Sequence, residues 1–111
     1  MDELILRLSE GKHPVVVGGL QPSLKDLKRR ILERKYVFIK FTNIRGGTDL
    51  GVVVDPGATT LTAADFECGT GIAHIEGTLI LNYTKVRCIA DIDLATFKGI
   101  GHLAILEEIH L

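Results

Sequence analysis

The stretch TKVRCIADIDL, residues 84–94, decides the fold class of this chain. Its apolar side chains fall on every second residue, so they share one face of an extended strand. Such alternation predicts a half-buried strand in an antiparallel sheet, with one face on the core and the other in water. The wet face carries Ile89 and the charged residues Lys85, Arg87, Asp91 and Asp93.

Other segments repeat the two-residue period of a strand. Residues 36–41 and 72–81 carry apolar side chains on both faces rather than on one. Their second face must then be covered by a partner subunit, by a ligand or by closure of the sheet on itself. We predict strands at 15–17, 36–42, 50–55, 72–81 and 84–94, a weaker one at 59–66, and at 102–109 either a strand or a short helix.

The clearest helix follows Pro22. Ser23 is a suitable N-cap, because Asp26 stands three positions later in an acidic variant of the capping box. Helical spacing of apolar residues continues to about Lys35 and recurs in a short segment at 2–9. We therefore predict one α+β domain over residues 1–111. Its main helix packs on a curved antiparallel sheet of five or six strands, with a short additional helix at the N-terminus.

Composition excludes several classes of protein. Of the 111 residues 46% are hydrophobic and 24% are charged, which is typical of a globular domain and not of a disordered or collagen-like chain. Two cysteines are too few for a disulfide framework. No apolar run approaches the roughly 20 residues of a membrane span, and the first residues lack the pattern of a signal peptide. We expect a cytoplasmic protein with reduced thiols and no membrane partner.

The charge is distributed unevenly although the net charge is only −1. Residues 25–45 hold eight basic and two acidic side chains, whereas the rest of the chain holds five basic and twelve acidic ones. This asymmetry gives the molecule a dipole that could steer a partner. We expect no nucleic-acid binding, because the acidic remainder would repel a polyanion and aromatic residues for base stacking are few.

A glycine-rich turn precedes the main helix and is a candidate anion site. Gly18 and Gly19 leave room for a phosphate or carboxylate beside the backbone, and Ser23 begins a helix whose N-terminus carries partial positive charge. Lys25 and Arg45 could add charge to such a site. The sequence matches no phosphate-loop motif, so an ordinary strand-to-helix turn is the simpler interpretation.

A second candidate site lies on the wet strand faces. Asp91 and Asp93 point the same way, and with Asp55 or Glu76 they could hold Mg²⁺ or act as acid and base. Cross-strand ion pairs with Lys85 and Arg87 are the simpler interpretation. The soft-ligand residues have no metal-binding spacing, so we expect no metal and no cofactor; they are Cys68, His74, Cys88 and His102.

These observations predict a non-enzymatic binding or accessory protein that acts as a homo-oligomer or with a larger protein partner. No catalytic signature is present, some strands are apolar on both faces, and the charge is dipolar. The alternative is a small enzyme or a binding protein for a small anionic ligand, with an apolar pocket between helix and sheet. Its first candidate residues are His74, Glu76, Asp91 and Asp93, with Arg87 orienting the anion.

Overall fold

The computed structural model describes residues 3–19, 22–44 and 48–109. The two helices are α1, Glu3–Ser9, and α2, Leu24–Arg29, and a π-helical turn at Arg30–Arg34 continues α2. The strands are β1 His13–Val17, β2 Tyr36–Phe41, β3 Thr48–Val54, β4 Ala64–Asp65, β5 Thr70–Leu81, β6 Thr84–Asp93 and β7 Lys98–Glu108.

Six of these strands close into a barrel. Every pairing is antiparallel, and the strand order is β3-β2-β1-β7-β6-β5-β4. A further pairing joins β3 to β5 through Val53 with Thr78 and Val54 with Gly77, which completes the ring. The expected α+β class and antiparallel sheet are confirmed, but the prediction of five or six strands with one main helix needs correction. The described residues form seven strands, because β4 is a separate element, and two helices, of which α1 corresponds to the short N-terminal helix expected at residues 2–9.

Closure of the sheet buries one face of each barrel strand and leaves the other face outside. Every second residue of β6 points inwards, so Val86, Cys88, Ala90 and Ile92 are buried as their alternation predicts. All six barrel strands contribute to the same buried cluster, which fills the barrel with aliphatic side chains. Other apolar side chains of the strands, such as Val53 and Ile80, lie on the outer wall.

The helices cover the two ends of the barrel. The side chain of Arg7 in α1 donates to the Asn43 carbonyl in the turn after β2, which places α1 at that end. Since α2 connects β1 to β2, it lies at the opposite end. Buried Ile5 and Leu8 of α1, and Leu27 and Ile31 of the α2 segment, all join the barrel core. None of the described helices is long and apolar enough to cross a membrane.

Three predicted elements differ from the observed ones. The weak strand at 59–66 is wrong for most of its length: only Ala64–Asp65 forms a strand, and Thr60 makes an isolated bridge to His74. The last segment is a strand that begins earlier, at Lys98. Ser23 is the N-cap of α2 as predicted, but the α-helix ends at Arg29 and its last turn is π-helical.

Candidate functional site

Five charged side chains meet on the outer wall of the barrel, and we call them the His74 cluster. Antiparallel pairing of β5 with β6 places His74 directly opposite Asp91. Glu76 and Arg87 lie on the same face because each is an even number of residues from that pair. Asp55, which follows β3, completes the cluster.

Each charge in the cluster contacts a charge of opposite sign. The ring atoms Nδ1 and Nε2 of His74 lie 2.7 Å from Asp91 Oδ1 and 2.6 Å from Glu76 Oε2. The guanidinium of Arg87 donates to Glu76 Oε1 at 3.0 Å through Nε and to Asp55 Oδ2 at 2.7 Å through Nη2. The result is a chain of alternating charges from Asp91 to Asp55.

Backbone hydrogen bonds hold the segment after β3 against β5 and so fix the cluster. The Asp55 N–H donates to the Glu76 carbonyl at 2.8 Å. The Thr59 hydroxyl donates to that carbonyl and accepts from the Glu76 N–H, both at 3.2 Å. Thr60 and His74 exchange two backbone bonds of 2.9 and 3.1 Å. Sequence reasoning missed both threonines, because no local signal places residues 59–60 beside β5.

The ion pairs shift the pKa values of the cluster in consistent directions. Hydrogen bonds to Glu76 and then Asp91 raise the pKa of His74 above its ordinary value of 6.5. The pKa of Glu76 is lowered by His74 and Arg87, and that of Asp55 is lowered chiefly by Arg87. The same two carboxylates raise the pKa of Arg87. Each shift favours the charged form of the group.

This geometry suits ion pairing better than catalysis. A histidine that acts as a general base or metal ligand needs a free ring nitrogen. Both nitrogens of His74 already contact carboxylates. Among the described residues, no three His, Cys, Asp or Glu side chains form a group that could hold a metal ion.

Asp93 is one predicted site residue that the structure leaves outside the cluster. Its Oδ1 accepts the backbone N–H of Ala95 at 2.9 Å, and its carbonyl accepts from Thr96 and Phe97. Asp93 therefore stabilises the turn between β6 and β7. The other four predicted residues of the wet faces, His74, Glu76, Arg87 and Asp91, do converge.

The N–H groups of both glycines in the glycine-rich turn are engaged within the protein. The N–H of Gly18 donates to the Phe38 carbonyl at 2.8 Å, and that of Gly19 donates to Asp49 Oδ2 at 3.2 Å. Ser23 Oγ accepts the Asp26 N–H at 3.1 Å, as an N-cap does. Lys25 is exposed on α2. Arg45, the last residue predicted for this site, lies outside the described residues.

An open groove of about 470 Å³ lies between α2 and the outer wall beside this turn. Arg30 lies above the Phe38 ring, 5.5 Å from its centroid, and is paired with Asp26 at 2.8 Å. Asp49 adds a second carboxylate to the lining. Among the described residues that line the groove, Arg30 is the only cationic one, and its guanidinium is already paired with Asp26.

Neither cysteine is suited to nucleophilic catalysis. Burial raises the pKa of the Cys88 thiol to about 12. Cys68 is exposed, but a hydrogen bond to Asp65 raises its pKa as well. Since the thiolate is the reactive form, both thiols are poor nucleophiles at neutral pH.

Comparison of the chain with models of known protein families and with curated proteins finds no match.

Proposed function

We propose that this chain is a non-enzymatic binding or accessory domain that works as a homo-oligomer or with a larger protein partner. One observation carries the proposal: large apolar side chains are exposed on the outer wall of a barrel whose interior is already filled. The exposed fractions are 64% for Ile80, 54% for Val53, 48% for Leu106 and 43% for Ile100.

Because the barrel is closed, these exposed side chains are not covered by the described elements of the chain itself. In an open sheet, apolar residues on a second face can be covered by the chain's own elements. In this barrel the helices cover the ends, and the outer wall of β3, β5 and β7 keeps its aliphatic side chains in water. Contacts with another protein would remove this surface from water. Each Å² of apolar surface buried would stabilise the complex by roughly 25 cal/mol.

The chemistry of the polar groups supports the same proposal. Enzymes that use histidine or cysteine need an accessible ring nitrogen or a thiolate. His74 is held by two carboxylates, and the pKa values of both thiols are raised. The His74 cluster instead resembles a fixed set of ion pairs on a wall that faces outwards.

The groove beside α2 supports a second candidate, a small-molecule binding protein. Its volume of about 470 Å³ lies within the range of ligand sites, and the Phe38 ring offers an apolar surface. Since Asp26 and Asp49 line it, a neutral or cationic molecule fits its charge better than the anionic ligand expected from the sequence.

Native mass spectrometry of the gently purified protein, repeated after denaturation, tests the proposal. We expect assemblies of two or more chains, or a complex with a second protein in a pull-down. A chain that stays monomeric throughout the micromolar range and captures no partner would overturn it. A small added mass that disappears on denaturation would favour the ligand-binding candidate instead.

A further inference from the structure

We propose that His74 acts as a proton-controlled latch for residues 55–60, the segment that follows β3. The doubly protonated ring holds this segment against β5, and loss of one proton from the ring lets the segment open while the barrel stays folded. Such a local motion needs no second protein and goes beyond the proposed function.

The two contacts of the His74 ring determine how many protons it carries. Nδ1 lies 2.7 Å from Asp91 Oδ1, and Nε2 lies 2.6 Å from Glu76 Oε2. A carboxylate oxygen only accepts hydrogen bonds, so each ring nitrogen must donate, and only the imidazolium has two donors. The second proton belongs to the ring, because a histidine ordinarily keeps it up to about pH 6.5 and a carboxyl group only up to about pH 4. Both contacts are therefore intact only when His74 is charged.

The segment 55–60 is attached to β5 at the same two residues that this ring contact joins. The N–H of Thr60 donates to the His74 carbonyl at 2.9 Å, and the His74 N–H donates to the Thr60 carbonyl at 3.1 Å. The Thr59 hydroxyl bonds to both backbone groups of Glu76 at 3.2 Å. No residue in the range 55–60 is buried. Its attachment thus depends on these polar contacts rather than on burial.

Loss of one proton separates His74 from one of its two carboxylates, because a ring nitrogen without a proton cannot donate. Asp91 is paired with His74 alone among the described ion pairs, whereas Glu76 also accepts from Arg87 at 3.0 Å. The remaining proton therefore stays on Nδ1, beside Asp91, and the contact between Nε2 and Glu76 is lost. Since the backbone of Glu76 also binds the segment, this separation weakens the attachment of the segment.

The charged groups around His74 come from its own strand, the neighbouring strand and the segment; they are Glu76 on β5, Asp91 and Arg87 on β6, and Asp55. Beyond Asp91, Lys12 and His102 line a small cavity of about 140 Å³. In the part of the chain that the structure describes, no ion pair joins either of them to Asp91. The carboxylates and Arg87 keep their charges near neutral pH, so the proton on His74 is the one that changes the cluster there.

NMR of the histidine rings in the isotope-labelled full chain measures the protonation step, from about pH 6 to about pH 9. The signals of His74 are assigned by their absence from His74→Gln. We expect both ring nitrogens to carry a proton at the acidic end of the range, and Nδ1 alone at the alkaline end. A His74 ring with only one proton throughout the range would overturn the latch.

Hydrogen exchange of single amides, corrected for the intrinsic rate at each pH, measures the opening of the segment. We expect the protection of the Thr60 amide to fall at least about tenfold as His74 loses its proton. At every pH it should remain at least about tenfold lower than the protection of Ile92 in the buried face of β6, because the segment opens without unfolding the barrel.

Two variants isolate the role of the proton on His74. In His74→Gln the protection of Thr60 should already be low at about pH 6 and should change little as the pH rises. His102→Gln is the matched control, because it removes a histidine from β7 and leaves the contacts of His74 in place. It should keep the pH dependence of the unmodified chain. Circular dichroism confirms that both variants are folded.

Two results of the exchange measurements would overturn the latch. Equal protection of Thr60 and Ile92 would mean that the segment opens only when the whole barrel unfolds. A pH dependence at Thr60 that persists in His74→Gln would assign the effect to another group.

Discussion

At the scale of single residues, Gly99 shows how closely two strands of this barrel approach each other. It pairs with Ile92 in β6, and a Cβ atom at Gly99 would collide with the backbone carbonyl oxygen of Asp91. Backbone cannot move aside as a flexible side chain can. We predict that Gly99→Ala lowers the free energy of unfolding by about 1–3 kcal/mol, the usual cost of overpacking. Urea unfolding followed by circular dichroism measures the change.

Gly57 provides the control for that prediction. It lies in an exposed turn, and an added Cβ would have only ordinary contact with Asp55 Oδ1, at 3.4 Å. Gly57→Ala should therefore leave the free energy of unfolding within about 0.5 kcal/mol, as surface substitutions usually do. Equal losses in the two variants would show that a general effect of replacing glycine by alanine, and not the contact with Asp91, determines the loss of stability.

At the scale of elements, the end of α2 carries local strain. Lys35 closes the π-helical turn with φ 55° and ψ 40°, in the left-handed region that favours glycine. Its N–H donates to the Arg30 carbonyl, and its carbonyl accepts from Val54. These backbone bonds do not depend on the side chain. We predict that Lys35→Gly raises the free energy of unfolding by about 0.5–1 kcal/mol.

Thermal melting of Lys35→Gly beside Lys35→Ala measures that effect. Alanine also removes the charge but keeps the Cβ atom, so it should show no gain. A gain of the same size in Lys35→Ala would mean that the charge of Lys35, among its basic neighbours, is the source of the strain.

The same elements show which parts of the fold a sequence can predict. Alternation in β6 identified its buried face, and Ser23 identified the start of α2, because both signals depend on neighbours within a few residues. Closure of the barrel depends on β3 meeting β5, and these strands share only two pairs far apart in the chain. No local pattern records such a pairing. Two-sided apolar strands indicated that something must cover the second face, but did not identify it.

In the candidate site too, contacts between consecutive strands could be predicted from the sequence, whereas contacts between distant segments could not. His74 and Glu76 belong to one strand and face Asp91 and Arg87 on the next, so a hairpin of consecutive strands sufficed to predict four members of the cluster. The hydrogen bonds of Thr59 with Glu76 and of Thr60 with His74 depend on where the segment after β3 lies. The sequence carried no signal for the position of that segment. The engagement of Gly18 and Gly19 likewise depends on Phe38 and Asp49, which come from other strands.

At the scale of the whole molecule, the His74 cluster should make stability depend on pH in two directions. Because the pKa of His74 is raised in the folded state, its contribution is complete below the ordinary value of 6.5. That contribution is lost as the pH rises through the raised pKa. The pKa values of Asp55 and Glu76 are lowered, so their contributions are present above their ordinary values of 3.8 and 4.5 and are lost as the pH falls through the lowered ones.

Replacing the histidine isolates the alkaline side of this dependence. We predict that the urea concentration at the midpoint of unfolding decreases for the unmodified chain as the pH rises from about 6 to about 9. A histidine with a raised pKa loses its proton in this range. In His74→Gln, which cannot be protonated, the midpoint should be lower at the acidic end of that range and should change less across it. Below about pH 4 both chains should lose stability, because Arg87 still pairs with Glu76 and Asp55 in the variant. Parallel curves from pH 6 to pH 9 would contradict the prediction, since they would mean that the proton on His74 contributes nothing to holding β5, β6 and the segment after β3 together.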